Sequence, residues 1–146
     1  MKLFFTIVVI ISSLSLFSQE RADNTVIIHT ELSYDEAFRT VGRLLVSNGL
    51  IIADANRDFG TITAGGLYVG TMADADWELT VSAILYGDEN TRIELTGVNK
   101  CIKRNENRRP ERVRVAAMGA LGRSWTLFLE MANSFEDAVA EFERRD

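Results

Sequence analysis

Cysteine, proline and histidine occur once each in the 146 residues, as Cys101, Pro110 and His29. A single cysteine excludes an intramolecular disulfide, and any Ser-His-Asp or Cys-His arrangement would depend on His29. His29 lies in an apolar run, between Ile28 and Thr30, and the sequence has no Gly-x-Ser-x-Gly motif. The same scarcity disfavours a zinc site. We therefore expect a structural or surface histidine, a buried Cys101, and a protein that uses no cofactor.

Long apolar runs are also scarce, and the one that occurs is Leu3–Ile11, interrupted by Thr6. Lys2 precedes this run, and a serine-rich stretch at residues 12–18 follows it. A positive start, an apolar core and small residues in this order are typical of a secretory signal peptide. The run is shorter than the roughly 20 residues that span a bilayer. We predict that residues 1–18 are a signal peptide and that the protein is exported, to the periplasm or beyond the cell.

We expect the signal to be cut after Ser18, with a cut after Ser15 as the alternative. Residues 19–146 then form one soluble domain, with no cysteine at the cut to carry a lipid anchor and no further membrane span. Loss of Lys2 changes the formal charge from −5 to −6, which is 15 positive minus 21 negative residues. An acidic domain is a poor general binder of nucleic acid, so we expect no nucleic-acid partner.

The N-terminal half of the domain predicts a strand followed by a helix. Residues 25–32 are rich in β-branched side chains, and Ser33 with Glu36 forms a capping box. Apolar residues then recur at helical spacing until Asn48 and Gly49, which stop a helix predicted over residues 34–48.

Two alternating segments predict an antiparallel strand pair, over residues 77–86 and 91–102. The odd positions from Trp77 to Leu85 are apolar and the even positions are mostly polar, which is typical of a half-buried strand. The apolar faces match if the numbers of paired residues sum to 178, with residues 88–90 as a three-residue loop whose third residue, Asn90, is left-handed.

Glycine and turn residues dominate the segment between the first helix and this strand pair. Residues 54–60 have the oxygen spacing of a calcium loop, but a glycine one position late and no glutamate at the twelfth position favour a β-turn. Residues 65–76 contain Gly65, Gly66 and Gly70 without the Gly-Lys-Ser/Thr ending of a phosphate loop. We predict that residues 65–76 are a loop.

A positively charged stretch over residues 100–114 predicts an exposed connection. Seven of its fifteen residues are Lys or Arg, and Glu106 and Glu111 oppose them. The functional interpretation is a site for an anionic envelope component or an acidic protein; the alternative is a solvated loop paired with the protein's own acidic surface. The candidate binding residues are Lys103, Arg104, Arg108, Arg109 and Arg112.

The C-terminal segment predicts a second helix, over residues 124–144. Its apolar residues recur at helical spacing: Trp125, Phe128, Leu129, Ala132, Phe135, Val139 and Phe142. So large an apolar stripe has to pack on the sheet or on the first helix. The expected fold is α+β, an antiparallel sheet with both helices on one face and the other face polar and open to water or a partner.

A resemblance supports this architecture. The segments Ser33-Tyr-Asp-Glu-Ala-Phe, Asn48-Gly49, Leu50-Ile-Ile and Asp58-Phe-Gly-Thr-Ile62 resemble small exported bacterial domains of unknown function with TBP-like topology, including the BamC type. The resemblance implies a β-α-β-β-β-α order and an interaction role, and it carries over no catalytic residue. The sequence thus predicts a non-enzymatic binding or assembly domain of the cell envelope. The alternatives are a small hydrolase using carboxylates and a structural domain that forms homo-oligomers.

Overall fold

A computed structural model describes the chain over residues 24–72, 75–102, 111–113, 120–136 and 138–145. The predicted signal peptide lies outside these ranges. The elements are β1 (Thr25–Thr30), α1 (Tyr34–Ser47), β2 (Ile51–Asn56), β3 (Thr61–Met72), β4 (Ala75–Tyr86), β5 (Thr91–Cys101), β6 (Glu111–Arg112), α2 (Ala120–Asn133) and β7 (Val139–Glu143). Neither described helix has the length and apolarity needed to cross a bilayer.

The strands form an open antiparallel sheet in the order β2-β3-β4-β5-β1-β7, and the short β6 pairs with β5. An α+β protein with an antiparallel sheet and two helices is therefore confirmed. The predicted β-α-β-β-β-α order is wrong, because the chain adds strands before α2 and another after it. The extra terminal strand pairs with β1, which would otherwise have an unpaired edge on that side.

The pairing of β4 with β5 has the predicted register. Leu85 lies opposite Ile93, Ala83 opposite Leu95, and Glu78 opposite Lys100, so each pair of numbers sums to 178. Burial alternates along β4, with the odd positions buried and the even positions half-buried or exposed. Gly87, the residue before the predicted three-residue loop, has a φ of 103°.

The glycine-rich segment is a strand, so the predicted loop over residues 65–76 is wrong. β3 pairs with β4 along its length, and the register shifts twice, between Ala64 and Leu67 and between Tyr68 and Gly70. Gly66 and Gly70 have φ values of 83° and 128° at these shifts. A β-bulge needs a residue that tolerates such a backbone, and glycine supplies it without steric cost. The glycines therefore bend a strand that they were expected to interrupt.

The first helix begins at the predicted residue and ends one residue before its predicted end. The Glu36 carboxylate accepts hydrogen bonds from the backbone N–H and from Oγ of Ser33, at 3.3 and 2.7 Å. Ala37, Val41 and Leu45 are buried on one face of the helix, as their four-residue spacing predicts. After β2, Asn56 Oδ1 accepts hydrogen bonds from the backbone N–H groups of Asp58 and Phe59, both at 3.1 Å. The predicted turn is therefore confirmed for residues 57–60, whereas residues 54–56 belong to β2.

The C-terminal helix is shorter than predicted. α2 ends at Asn133, and the chain returns as β7, which pairs with β1. Trp125 and Phe128 are buried on α2 as expected, and Phe142 lies 6.0 Å from Trp125 between ring centroids. Phe142 thus joins the predicted aromatic group from a strand. The spacing of residues 135–142 fits a helix, but residues 139–143 also alternate, and pairing with β1 decides between the two.

Both helices contribute to one hydrophobic core with the odd positions of β4. At Gly97, α2 packs closely against the sheet. A Cβ atom there would lie 2.7 Å from Phe128 Cζ and 3.1 Å from the Thr80 carbonyl oxygen. The helix can pack this close to β5 because residue 97 has no side chain.

The far face of the sheet is less open than predicted. Thr25, Ile27 and Glu94 lie on it, at 0%, 4% and 4% exposure. Arg145 forms a bidentate ion pair with the Glu94 carboxylate. Arg92 Nη2 lies 2.9 Å from Oε1 of the same carboxylate. The hydrogen bonds to Glu94 and then to Glu143 raise the pKa of Arg145, so its charge persists at all ordinary pH values.

We expect Gly97→Ala to lower the free energy of unfolding by about 1–3 kcal/mol, because an overpacked core must shift. Urea unfolding followed by tryptophan fluorescence measures the change. Adding Phe128→Leu to Gly97→Ala should make the glycine substitution less costly than it is in the presence of Phe128. An equal cost in both backgrounds would contradict the proposed contact.

We expect Arg145→Met to lower the free energy of unfolding by about 1–2 kcal/mol, since Glu94 loses a charge-assisted partner while remaining buried. Glu94→Gln should reduce this effect, because the amide is neutral. Thermal and urea unfolding of the two single variants and the double variant measure the coupling. Additive effects would show that the ion pair does not contribute.

Candidate functional site

An apolar groove with a volume of about 690 Å³ lies between α1, β2 and β3. This size is within the range of small-molecule sites. We call it the α1–β2 groove. Its lining residues are Leu32, Glu36, Phe38, Arg39, Thr40, Gly42, Arg43, Ile52, Ala55 and Ile62.

The apolar side chains of the groove come from separate elements. Ile52 and Ala55 pair with Ala64 and Ile62, so these four residues share the sheet face on which Ile62 is buried. Phe38 adds an aromatic ring from α1 and packs against the core. β2 is the end strand of the sheet, so the groove opens at an edge where the described strands end.

Positive charge on the groove comes from the helix. Arg39 and Arg43 are four residues apart and therefore neighbours on the surface of α1. Neither forms an ion pair within the described residues, although Arg43 Nη2 donates to Thr40 Oγ1 at 3.2 Å. Glu36, the acidic lining residue, accepts the two hydrogen bonds of Ser33. The lining thus carries two positive charges and one negative charge.

The beginning of α1 is tied to the β2–β3 turn. The Tyr34 hydroxyl donates to the Arg57 carbonyl, and the Arg57 guanidinium pairs with Asp35, with Nε at 2.9 Å from Oδ1. Desolvation by burial raises the pKa of Tyr34; Arg57 opposes this, and Asp35 adds to it. The hydroxyl therefore stays protonated and able to donate throughout neutral and mildly alkaline pH. These contacts hold the beginning of the helix against the β2–β3 turn.

Gly42 gives the groove a site without a side chain. A Cβ atom built at this position has no heavy atom within 4 Å, and its φ is not in the left-handed region. Larger side chains at residue 42 therefore begin in open space beside the groove. Glycine inside an exposed part of a helix is normally unfavourable, so its presence here is a local departure from helix preference.

A second concavity, of about 400 Å³, lies on the far face of the sheet. Its lining includes the hydroxyl-bearing residues Thr80, Ser82 and Thr96, together with Arg145. These hydroxyls come from the polar positions predicted for β4 and β5. The predicted polar face therefore exists along these strands, although Glu94 and its neighbours close part of it.

The predicted arginine site lies largely outside the described residues, which exclude Lys103, Arg104, Arg108 and Arg109. Arg112 is in β6, where its backbone pairs with Val98. That part of the predicted connection is a strand. The arginines that line the α1–β2 groove, Arg39 and Arg43, come from a helix that the sequence showed only as a packing element.

The candidates for catalysis are dispersed. His29 lies on the far face of β1, half exposed, with Nε2 at 3.4 Å from Glu141 Oε2. It is a surface histidine, as expected, and Cys101 is half-buried against the core. Asp54 is exposed on β2. Among the described residues, no group of three or more His, Cys, Asp or Glu side chains is placed to hold a metal ion.

Comparison with known proteins gives no relative: neither a protein-family model nor a curated protein matches this sequence.

We expect Gly42→Ala to raise the free energy of unfolding by about 0.5–1 kcal/mol, because alanine favours the helix and its methyl group meets no neighbour. Urea unfolding monitored by circular dichroism checks this value. The added methyl group should also leave the groove accessible from solvent. A loss of stability would mean that residue 42 contacts something that the groove geometry does not include.

Proposed function

We propose that this protein is an exported, non-enzymatic binding domain of the bacterial cell envelope and that the α1–β2 groove is its ligand-binding surface. The observation that carries the proposal is the combination of an apolar concavity with two arginines that have no acidic partner within the described residues. Convergent apolar surface with a few polar groups at the border is the usual composition of a ligand site.

The charge of the groove supports an anionic ligand. The chain as a whole has a formal charge of −5, so an anion is repelled by most of the protein. Arg39 and Arg43 give the groove a local excess of positive charge, and guanidinium groups bind carboxylates and phosphates with charge-assisted hydrogen bonds. An anionic envelope component, the partner class expected from the sequence, fits this groove without requiring the residues of the 103–110 segment.

Assembly through a sheet edge has less support. β2 has a register shift between Ile52 and Asp54, and Asp54 places a charge on this exposed strand. Bulges and charges on an edge strand oppose pairing with another strand. We also propose kinship with TBP-like envelope domains, supported by the β1–α1–β2 order and by the turn between β2 and β3, where Gly60 has a φ of 66°. β6 and β7 would then be additions to that unit.

The proposal is tested by expressing the full chain in a bacterial host and purifying the exported protein under gentle conditions. We expect native mass spectrometry to find a retained small molecule on the Gly42→Ala protein and none on Gly42→Trp, whose indole fills the groove. The intact mass should also lack residues 1–18.

Equal retention by Gly42→Trp, or no retention by Gly42→Ala, would contradict ligand binding in the groove. A mass that includes residues 1–18 would contradict export. Circular dichroism of both variants serves as the control for folding, since neither substitution meets an existing heavy atom at its Cβ.

A further inference from the structure

We infer that the ligand of the α1–β2 groove is a single-chain fatty carboxylate, with its hydrocarbon chain on the apolar floor and its carboxylate at Arg39 and Arg43. This inference rests on the proposed function and adds the chemical class of the ligand. It follows from the composition of the lining, which combines apolar side chains with the two arginines.

The apolar part suits a hydrocarbon chain. It is formed by Leu32, Phe38, Ile52, Ala55 and Ile62, which come from the β1–α1 connection, the helix and two neighbouring strands. Apolar surface from this many elements is removed from water together when one chain covers it, and burial of apolar area is the main driving force for such binding. None of these five side chains is charged, so they suit any part of a methylene chain equally.

The cationic part suits one carboxylate. Residues four apart on a helix have neighbouring side chains, so Arg39 and Arg43 can approach the same anion. Their guanidinium groups make no competing ion pair within the described residues. Of the nearby acidic groups, Asp35 pairs with Arg57, whereas Glu36 keeps its negative charge, so the lining has a net charge of +1 from two arginines and one glutamate. A ligand carboxylate therefore meets cations that the protein has not neutralised.

The overall charge favours a monomeric fatty carboxylate over a membrane surface. An anionic bilayer presents many negative charges to the whole protein face, and a chain with a formal charge of −5 is repelled by them. A monomeric carboxylate presents one negative charge, and that charge can lie beside the arginine pair. The groove therefore selects for a hydrocarbon chain and a single anionic head together.

The test is isothermal titration calorimetry of the mature protein with tetradecanoate below its micelle concentration. The comparison ligands are tetradecyl maltoside and tetradecyltrimethylammonium, which have the same chain with a neutral or cationic head, and acetate, which has the same head without the chain. We expect tetradecanoate to bind and the three comparison ligands to bind at least about tenfold more weakly.

The variants separate the two parts of the groove. Arg39→Gln and Arg43→Gln should each weaken tetradecanoate binding by roughly three- to tenfold and should leave binding of tetradecyl maltoside unchanged. Gly42→Trp should abolish both, whereas Val46→Trp, at an exposed position of the same helix outside the groove lining, should bind as the natural protein does. Glutamine is compatible with a helix, so circular dichroism and unfolding should show no loss of structure in the arginine variants.

Several results would overturn the inference. They are equal binding of the neutral and anionic ligands, arginine variants with unchanged affinity, binding only to anionic phospholipid vesicles, and a dimer in light scattering that Gly42→Trp dissociates. A molecule retained in a Gly42-dependent way, together with no affinity for tetradecanoate, would overturn the ligand class and leave the proposed function in place. Failure of both measurements would remove the groove as a binding site.

Discussion

The antiparallel pairing of β4 with β5 is the constraint on which the rest of the structure depends. Ten consecutive residue pairs connect the two strands, from Trp77–Cys101 to Tyr86–Arg92. Because side chains alternate along a strand, this register places the odd positions of both strands on the face that the helices cover. A shift of one residue would place Leu79 and Val81 in water and their polar neighbours in the core, so the helices would lose their packing surface.

The α1–β2 groove follows from the position of α1 relative to the sheet. The helix buries Ala37, Val41 and Leu45 in the core, and its N-terminal end is tied to the β2–β3 turn through Tyr34. β2 ends the sheet on that side, so among the described elements no further strand borders the groove there. The glycine at residue 42 leaves the helix without a side chain where one would narrow this space.

The far face of the sheet shows that charge can be buried where the strand pattern predicts solvent. Glu94 occupies a polar position in the alternation of β5, yet it lies beneath Arg145 from the C-terminal end of the described chain. The side chain of Asn24 holds the backbone of Arg145 through two hydrogen bonds, of 2.6 and 2.9 Å. Residues 121 positions apart thus close one side of the sheet, and local alternation contains no information about such a contact.

The sequence by itself determined the elements whose signals are local: α1 with its Ser33–Glu36 cap, and the register of β4 with β5. Their periodicity allows one solution, because any other would expose apolar side chains. Where a local pattern allowed two structures, tertiary contacts decided between them. Residues 139–143 fit a helix or a strand until β1 supplies a partner, and the β3 glycines fit a loop or bulges until β4 supplies a ladder. It also decided the groove, since Phe38, Arg43 and Ile52 meet only after the helix has packed on the sheet edge.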